Sequence, residues 1–497
     1  MIQPLLDEMV GSMKSASVDI LLEIEYILKM AVTSSNGASS SDTQPVPSWI
    51  LLSNLAVASL EKSHQYTTHS GVRVYGQGTA LGSGAYTWLD GDASPRHFHE
   101  WATSIEVKGD LVRFQTAAMN NPPLYAVQNT TTRAWAVGSN PFILNVARSQ
   151  WGMPIGFVDP TVINRDSTTS FQGVSQLPPH TYFELKKDES GWLLSTQERR
   201  DPLFSALSPR ITDYDEAGSA FVSAVQRAVS EITKSDKEVA SLLSGGIDSG
   251  AVTTFAVRAG LKVTAYSAGS PWGNEHEEAQ ELADYLGIPL VRLELSSKDL
   301  LDAGPETMRA LGTAERERVD IQITLTALMR SGLIKEKHIL TGYGNDLMLI
   351  GLPPDSADTD VLIRDIITEV DLARHSGEFQ DFVAGTWGKK LSHVYWHQDV
   401  VRTALDIHPS CKVHGGREKA FFRAAMEQFI PKTAAWRKKI GIHVGGGMQG
   451  GLDALFGGLD GKVEVYNRIF RALSDQTLAD PFGSIDHLAP RSEESGK

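Results

Sequence analysis

The sequence predicts an α/β protein in two unlike halves, and three observations carry that expectation. Between about Ser48 and Arg200, short apolar runs are broken by Gly, Asn, Asp and Pro, the pattern of antiparallel strands and hairpins. From Glu216 to Thr341, strand-like and helix-like runs alternate, the pattern of a parallel sheet covered on both faces. Twice in that second half an apolar strand breaks into glycines followed by an aspartate.

Taken in order, residues 3–32 have helical spacing, with Leu5, Leu6, Met9, Met13, Ile20, Leu21, Ile24 and Leu28 in one apolar stripe. A polar tract from Ser34 to Asp42, closed by Pro45 and Pro47, has linker composition, so 1–47 reads as a helical extension and linker. A first domain, 48–205, holds strands around Ile105–Phe114, Ala134–Val137 and Tyr182–Leu185, the last ahead of a turn over Lys187–Gly191. Asp201–Arg210 is a connector. In a second domain, 206–487, a helix over Glu216–Ile232 leads into a strand at Val239–Leu243. Further strands are expected at Val263–Ser267, Leu290–Leu293 and His338–Thr341, and helices at Glu275–Leu286 and Ile321–Met329. From Thr359 onward the pattern is mostly helical, and the polar end, 488–497, reads as a disordered tail.

Composition narrows the partners. The chain has 497 residues, 41% hydrophobic and 21% charged, ordinary for a protein with a full core. No window approaches the roughly 18 consecutive apolar residues of a membrane span. Met1 to Glu8 lack a basic leader segment, and one cysteine, Cys411, gives no disulfide framework; a cytoplasmic location is the expectation. Net charge is −14 and no basic run appears, so nucleic acid is not an expected partner. Oligomeric state stays open, a homo-oligomer included.

Chemistry concentrates in three segments. In Leu242-Leu243-Ser244-Gly245-Gly246-Ile247-Asp248-Ser249-Gly250 a strand ends in glycines and opens a helix. That turn presents backbone N–H groups to a phosphate, and Asp248 adds a carboxylate suited to Mg2+ beside it. A second strand, Ile339-Leu340-Thr341, breaks into Gly342-Tyr343-Gly344-Asn345-Asp346. Asp346 alone also reads as a helix cap, but paired with Asp248 it suits a magnesium–pyrophosphate held between strand ends. The third, Trp436-Arg437-Lys438-Lys439 running into glycines through Gly451, suggests cations aimed at phosphates beneath a mobile loop; Lys419 and Arg423 are expected to point the same way.

The first segment resembles the pyrophosphate-binding loop (PP-loop) of ATP pyrophosphatases. With all three in this order, roughly residues 70–470 resemble the asparagine synthetase family, and more narrowly its β-lactam synthetase and carbapenam synthetase branch. That resemblance implies an N-terminal glutaminase-like (Ntn-type) α+β sandwich domain followed by a PP-loop synthetase domain with a parallel sheet and a helical C-terminal part. It implies ATP and Mg2+ as cofactors and a small amino-acid-derived substrate. Nucleotide contacts carry over to Leu242, Ser244, Gly245, Gly246, Asp248, Ser249, Ala268, Gly342 and Lys419, and metal binding to Asp248 and Asp346. Asn274-Glu275-His276-Glu277 resembles the family's Asn-Glu-Phe-Glu, with His276 in place of Phe.

Two positions select the branch. The family's glutaminase nucleophile is a cysteine after Met1; Ile2 stands there, so glutamine hydrolysis is not expected. Tyr343 stands where asparagine synthetases have glutamate. In the β-lactam synthetases this tyrosine pairs with a glutamate, here matched by Glu378, to deprotonate the substrate's own amine, while the cation matched by Lys439 stabilises the oxyanion. The expected activity is therefore adenylation of a carboxylate with pyrophosphate release, then lactam closure with AMP release, in carbapenem- or tabtoxin-type biosynthesis. A lasso-peptide-type macrolactam cyclase, a ligase using another amine, and an inactive scaffold are the alternatives. His97 and His99 show no further ligand cluster, and Glu315–Arg318 reads as a solvated turn.

Overall fold

The computed structural model describes residues 49–68, 71–77, 86–90, 101–108, 111–161, 168–189, 191–199, 209–351, 358–376, 381–438 and 447–490. All belong to one compact unit, Val46–Lys497. The expected extension 1–47, His97, His99, Glu378, Lys439 and residues 491–497 lie outside the described residues.

Two sheets form the first half. One has strand order β2-β3-β1-β8-β7-β9, from β1 (Trp49–Ser53), β2 (His64–Thr67), β3 (Arg73–Gln77), β7 (Tyr125–Gln128), β8 (Trp135–Gly138) and β9 (Ser175–Gln176). The other has order β11-β10-β6-β5-β4, from β4 (Tyr86–Asp90), β5 (Thr103–Lys108), β6 (Leu111–Gln115), β10 (Thr181–Asp188) and β11 (Gly191–Arg199). The pairs are antiparallel, as expected, except β4–β5, which is parallel. Strand alternation decides the packing. Ile50 and Leu52 join Ile105, Val112, Phe114 and Phe183 between the two sheets. Trp49 and Leu51 face the other way, into a core shared with the helix Pro141–Gln150 and the second half. The central strands β1 and β8 are thus buried on both faces.

The second half is a five-stranded parallel sheet, order β14-β13-β12-β15-β16, from β12 (Glu238–Leu242), β13 (Lys262–Gly269), β14 (Leu290–Glu294), β15 (His338–Thr341) and β16 (Lys390–His393). Val239, Val263 and Ala265 pack with helices Ile247–Arg258 and His276–Leu286, whereas Ala240, Tyr266 and Ile339 pack with helices Ser297–Leu311 and Arg316–Arg330. The strand order reverses at β12, placing a crevice between the carboxyl ends of β12 and β15. Beyond Thr359 the described chain is mostly helical, as expected, with the short strand β16 added to the sheet edge. Among the described residues no helix is long and apolar enough to cross a membrane.

Glu315–Arg318 is also corrected: the segment is not a solvated turn. Glu315 is buried and caps the helix Arg316–Arg330, accepting from the Glu317 and Arg318 N–H groups at 3.2 and 3.0 Å, and Arg318 is buried too. One turn on, the buried Asp320 accepts from Lys462 Nζ at 2.6 Å and Tyr466 Oη at 2.9 Å, and Lys462 also pairs with Asp453. This cluster ties the helix to two C-terminal ones, Met448–Leu455 and Leu459–Ala479. Burial pushes the Asp320 carboxyl up to about 6 against the opposing charge and hydrogen bonds of Lys462 and the Tyr466 hydroxyl. A carboxyl raised by folding stabilises fully below its unfolded value, near 3.8, and that contribution is lost as pH rises through about 6. The stability difference between wild type and Asp320→Asn should therefore fall between about pH 4 and 6 in denaturant titrations. Lys462→Met, which strands a buried carboxylate, should lower stability by about 3–5 kcal/mol, and Asp320→Asn combined with it should recover part.

Candidate active site

The phosphate-loop segment folds as its glycines dictate. Gly245 has φ +74° and lies against the first turn of the helix His276–Leu286; a Cβ there would sit 2.4 Å from the Glu278 carbonyl carbon. Gly246 caps the helix Ile247–Arg258 with no side-chain cap, the arrangement that leaves a helix N-terminus to an anion. Ser249 Oγ stands 3.1 Å from Ser244 Oγ and accepts from the Ser244 N–H at 3.2 Å, bracing the turn. Leu242 ends β12 beside β13, which carries Ala268.

The β15 loop meets this turn directly. A Cβ on Gly342 would lie 2.5 Å from the Ser249 nitrogen, and one on Gly344, at φ +95°, would strike the Trp396 indole. Such close approaches require glycine. Asp248 and Asp346 are brought to one point, and a lysine stands there. The fully buried Lys419 Nζ donates to Asp248 Oδ2 at 2.6 Å and to Asp346 Oδ1, while Asn345 Nδ2 donates to Asp248 Oδ1 at 2.7 Å. Lys419 reaches in from a backbone at φ +55°, just before the helix Ala420–Met426. Two carboxylates that already share a cation form a hard-oxygen donor set, which fits a magnesium ion. Among the described residues no group of three or more His, Cys, Asp and Glu forms a metal site.

Tyr343 stands among aromatic rings, its centroid 5.3 Å from His393 and 5.4 Å from Trp396. His393 Nδ1 lies 2.6 Å from Thr341 Oγ1, which accepts the Tyr343 N–H at 3.3 Å. Tyr395 Oη donates to the Asp248 carbonyl at 3.0 Å, and burial, helped by Asp248 and Asp346, raises its own pKa well above that of a free phenol. A cavity of about 360 Å3 shares His393 and Trp396 with this cluster; Trp101, Met119 and Asn121 of the sandwich half line it elsewhere.

Arg423 does not point with Lys419. Its buried guanidinium donates to the Glu418 carboxylate at 2.6 Å and to the carbonyls of Ala435 and Arg437 at 2.8 and 2.9 Å. The distal half of the expected loop is helical. Gly447, at φ +64°, precedes the helix Met448–Leu455, and Gly451 packs so closely on the Trp272 indole that a Cβ would overlap it; residues 443–446 lie outside the described residues. Cys411 is buried, donates to the Thr212 carbonyl at 3.3 Å, and burial pushes its thiol pKa up, which disfavours the nucleophilic thiolate. Sequence reasoning missed Asn345, His393, Tyr395 and Trp396. Asn345 adjoins Asp346 in the motif; the other three follow from β16.

Residues 220–378 and 378–459 match the family model described as asparagine synthase. Residues 220–459 of this chain are thus similar to that family. It is similar to the carboxyethyl-arginine β-lactam-synthase of Streptomyces clavuligerus, 31% identical over 281 residues, 55% of this chain and 54% of that protein. It is also similar to the glutamine-hydrolyzing asparagine synthetase B of Escherichia coli (strain K12), 22% identical over 263 residues, 48% of this chain and 46% of that one. The chain spans about half the length of the curated relatives it matches. Among solved structures, it is similar to glutamine-dependent NAD+ synthetase from Acinetobacter baumannii in complex with ADP, at 15% identity and TM-score 0.25 over 71% of this chain and 68% of that one. NMN synthetase from Francisella tularensis matches at 16% identity and TM-score 0.18, over 39% of this chain and 91% of that one.

Proposed function

We propose that this protein is an ATP-dependent amide synthetase that adenylates a substrate carboxylate and closes a β-lactam with the substrate's own amine, releasing pyrophosphate and then AMP. The observation that carries the reading is the convergence of Asp248, Asp346 and Lys419 at the carboxyl ends of β12 and β15, within a domain matched to asparagine synthase, with tyrosine at position 343. Similarity to a β-lactam synthase supports the intramolecular amine.

In this reading the Ser244–Ser249 turn holds the β,γ-phosphates, leaving the α-phosphate to the substrate carboxylate. Leu242, Ala268 and Gly342 border the rest of the nucleotide. Asp248 and Asp346 would hold magnesium, which supplies charge neutralisation on the phosphates. Lys419 neutralises the two carboxylates and then the departing pyrophosphate. A protonated amine is no nucleophile, so the Tyr343 hydroxyl accepts its proton while passing its own to the Glu378 carboxylate. Closing a strained ring then depends on positioning, and Lys439 supplies a cation to the developing oxyanion. The sandwich half is, in this reading, a glutaminase-like domain. The test is product analysis with magnesium and candidate β-amino acids: AMP and pyrophosphate should form only when the amino acid is present. ADP and inorganic phosphate as products would contradict the proposal.

A further inference from the structure

The charged run at 436–439 contains a residue whose contacts differ from those expected of a phosphate ligand. Arg437 Nη1 donates to the backbone carbonyl of Gly245 at 2.5 Å, and Nη2 pairs with Glu281 at 2.6 Å. Glu281 also accepts from Thr433 Oγ1 at 2.5 Å, and that hydrogen bond, with the Arg437 pairing, holds its carboxyl below the usual range. Arg437 is held at its backbone as well, because its carbonyl accepts from the buried Arg423 at 2.9 Å. The guanidinium is therefore fixed from both ends and aimed at the phosphate loop's own backbone.

In a planar trans peptide the carbonyl of one residue and the N–H of the next point in opposite directions. Pinning the Gly245 carbonyl thus pins the Gly246 N–H to the other side of the turn. Among the described residues, the Gly246 N–H otherwise has only a 3.4 Å contact to Ser244 Oγ. A Gly-Gly peptide flips at little steric penalty, and the flipped form would turn a carbonyl oxygen toward an incoming phosphate. We infer that Arg437 is a positioning residue that locks the Gly245–Gly246 peptide in the anion-accepting orientation, with Glu281 holding the guanidinium in place. The inference rests on the nucleotide reading above, but not on the lactam chemistry.

Equilibrium binding to the full chain with magnesium tests it, using α,β-methylene-ATP and AMP as probes. Arg437→Met should weaken the triphosphate analogue about ten-fold or more, the range for a lost charge-assisted hydrogen bond, and leave AMP within about two-fold. Glu281→Gln should act in the same direction, less strongly, and Arg437→Lys should fall between, since an ammonium cannot reproduce the two-pronged contact. If Glu281→Gln tightens the analogue instead, Arg437 acts as a phosphate ligand and the inference is overturned. Equal weakening of both probes means general damage and overturns it as well, as do unchanged affinities in the variants. Absence of analogue binding in the wild type would sink the nucleotide reading and this inference together, whereas binding without lactam formation leaves this one standing.

Discussion

Replacing Lys419 with methionine is expected to abolish ATP-dependent turnover and to destabilise the fold. The ammonium is fully buried between Asp248 and Asp346, so its removal leaves a 9%-exposed carboxylate facing another with no cation between them. Breaking a buried pair by deleting one partner costs about 3–5 kcal/mol, which should appear as a lowered denaturation midpoint. Turnover should fall by at least about 10²–10³, the usual loss for one cation aimed at developing charge. Asp248→Asn combined with Lys419→Met separates the effects: much of the stability should return, and turnover should not. Recovery of turnover in the double variant would mean that Lys419 only neutralises Asp248.

Tyr343→Phe should give the second large effect, confined to ring closure. The ring packs between His393 and Trp396, and phenylalanine keeps those contacts while removing only the hydroxyl. Loss of a general base lowers the step it serves by about 10²–10⁴. Substrate-dependent exchange of pyrophosphate into ATP precedes that step and should persist. Near-normal lactam formation by Tyr343→Phe would rule out the tyrosine as the base.

Both glycine turns of the candidate site were readable in the sequence because each is a local event: an apolar strand, then glycines, then an aspartate at the start of a helix. The Gly-Gly turn at 245–246 and the Gly-Tyr-Gly turn at 342–344 have those positions fixed by close approach, which the motif records. β16 was not readable. Lys390-Leu391-Ser392-His393 has one apolar residue and ends a sheet, where composition is a weak guide. With it were lost His393, Tyr395 and Trp396, the surroundings of Tyr343. Long-range ion pairs were equally silent. Asp320 and Lys462 lie 142 positions apart, and nothing in either neighbourhood names the other. Arg423 was misplaced because helical spacing ignores the φ +55° backbone at Lys419, which directs that lysine away from the helix it precedes.

The most direct test of the central claim follows the oxygen of the substrate carboxylate. Turnover of a β-amino acid labelled with heavy oxygen in its carboxylate should place one labelled oxygen in the phosphate of AMP and yield a product lighter than the substrate by one water. Both outcomes follow from adenylation and closure by the substrate's own amine. Label in inorganic phosphate, or a product that has gained a second amine, would contradict the account.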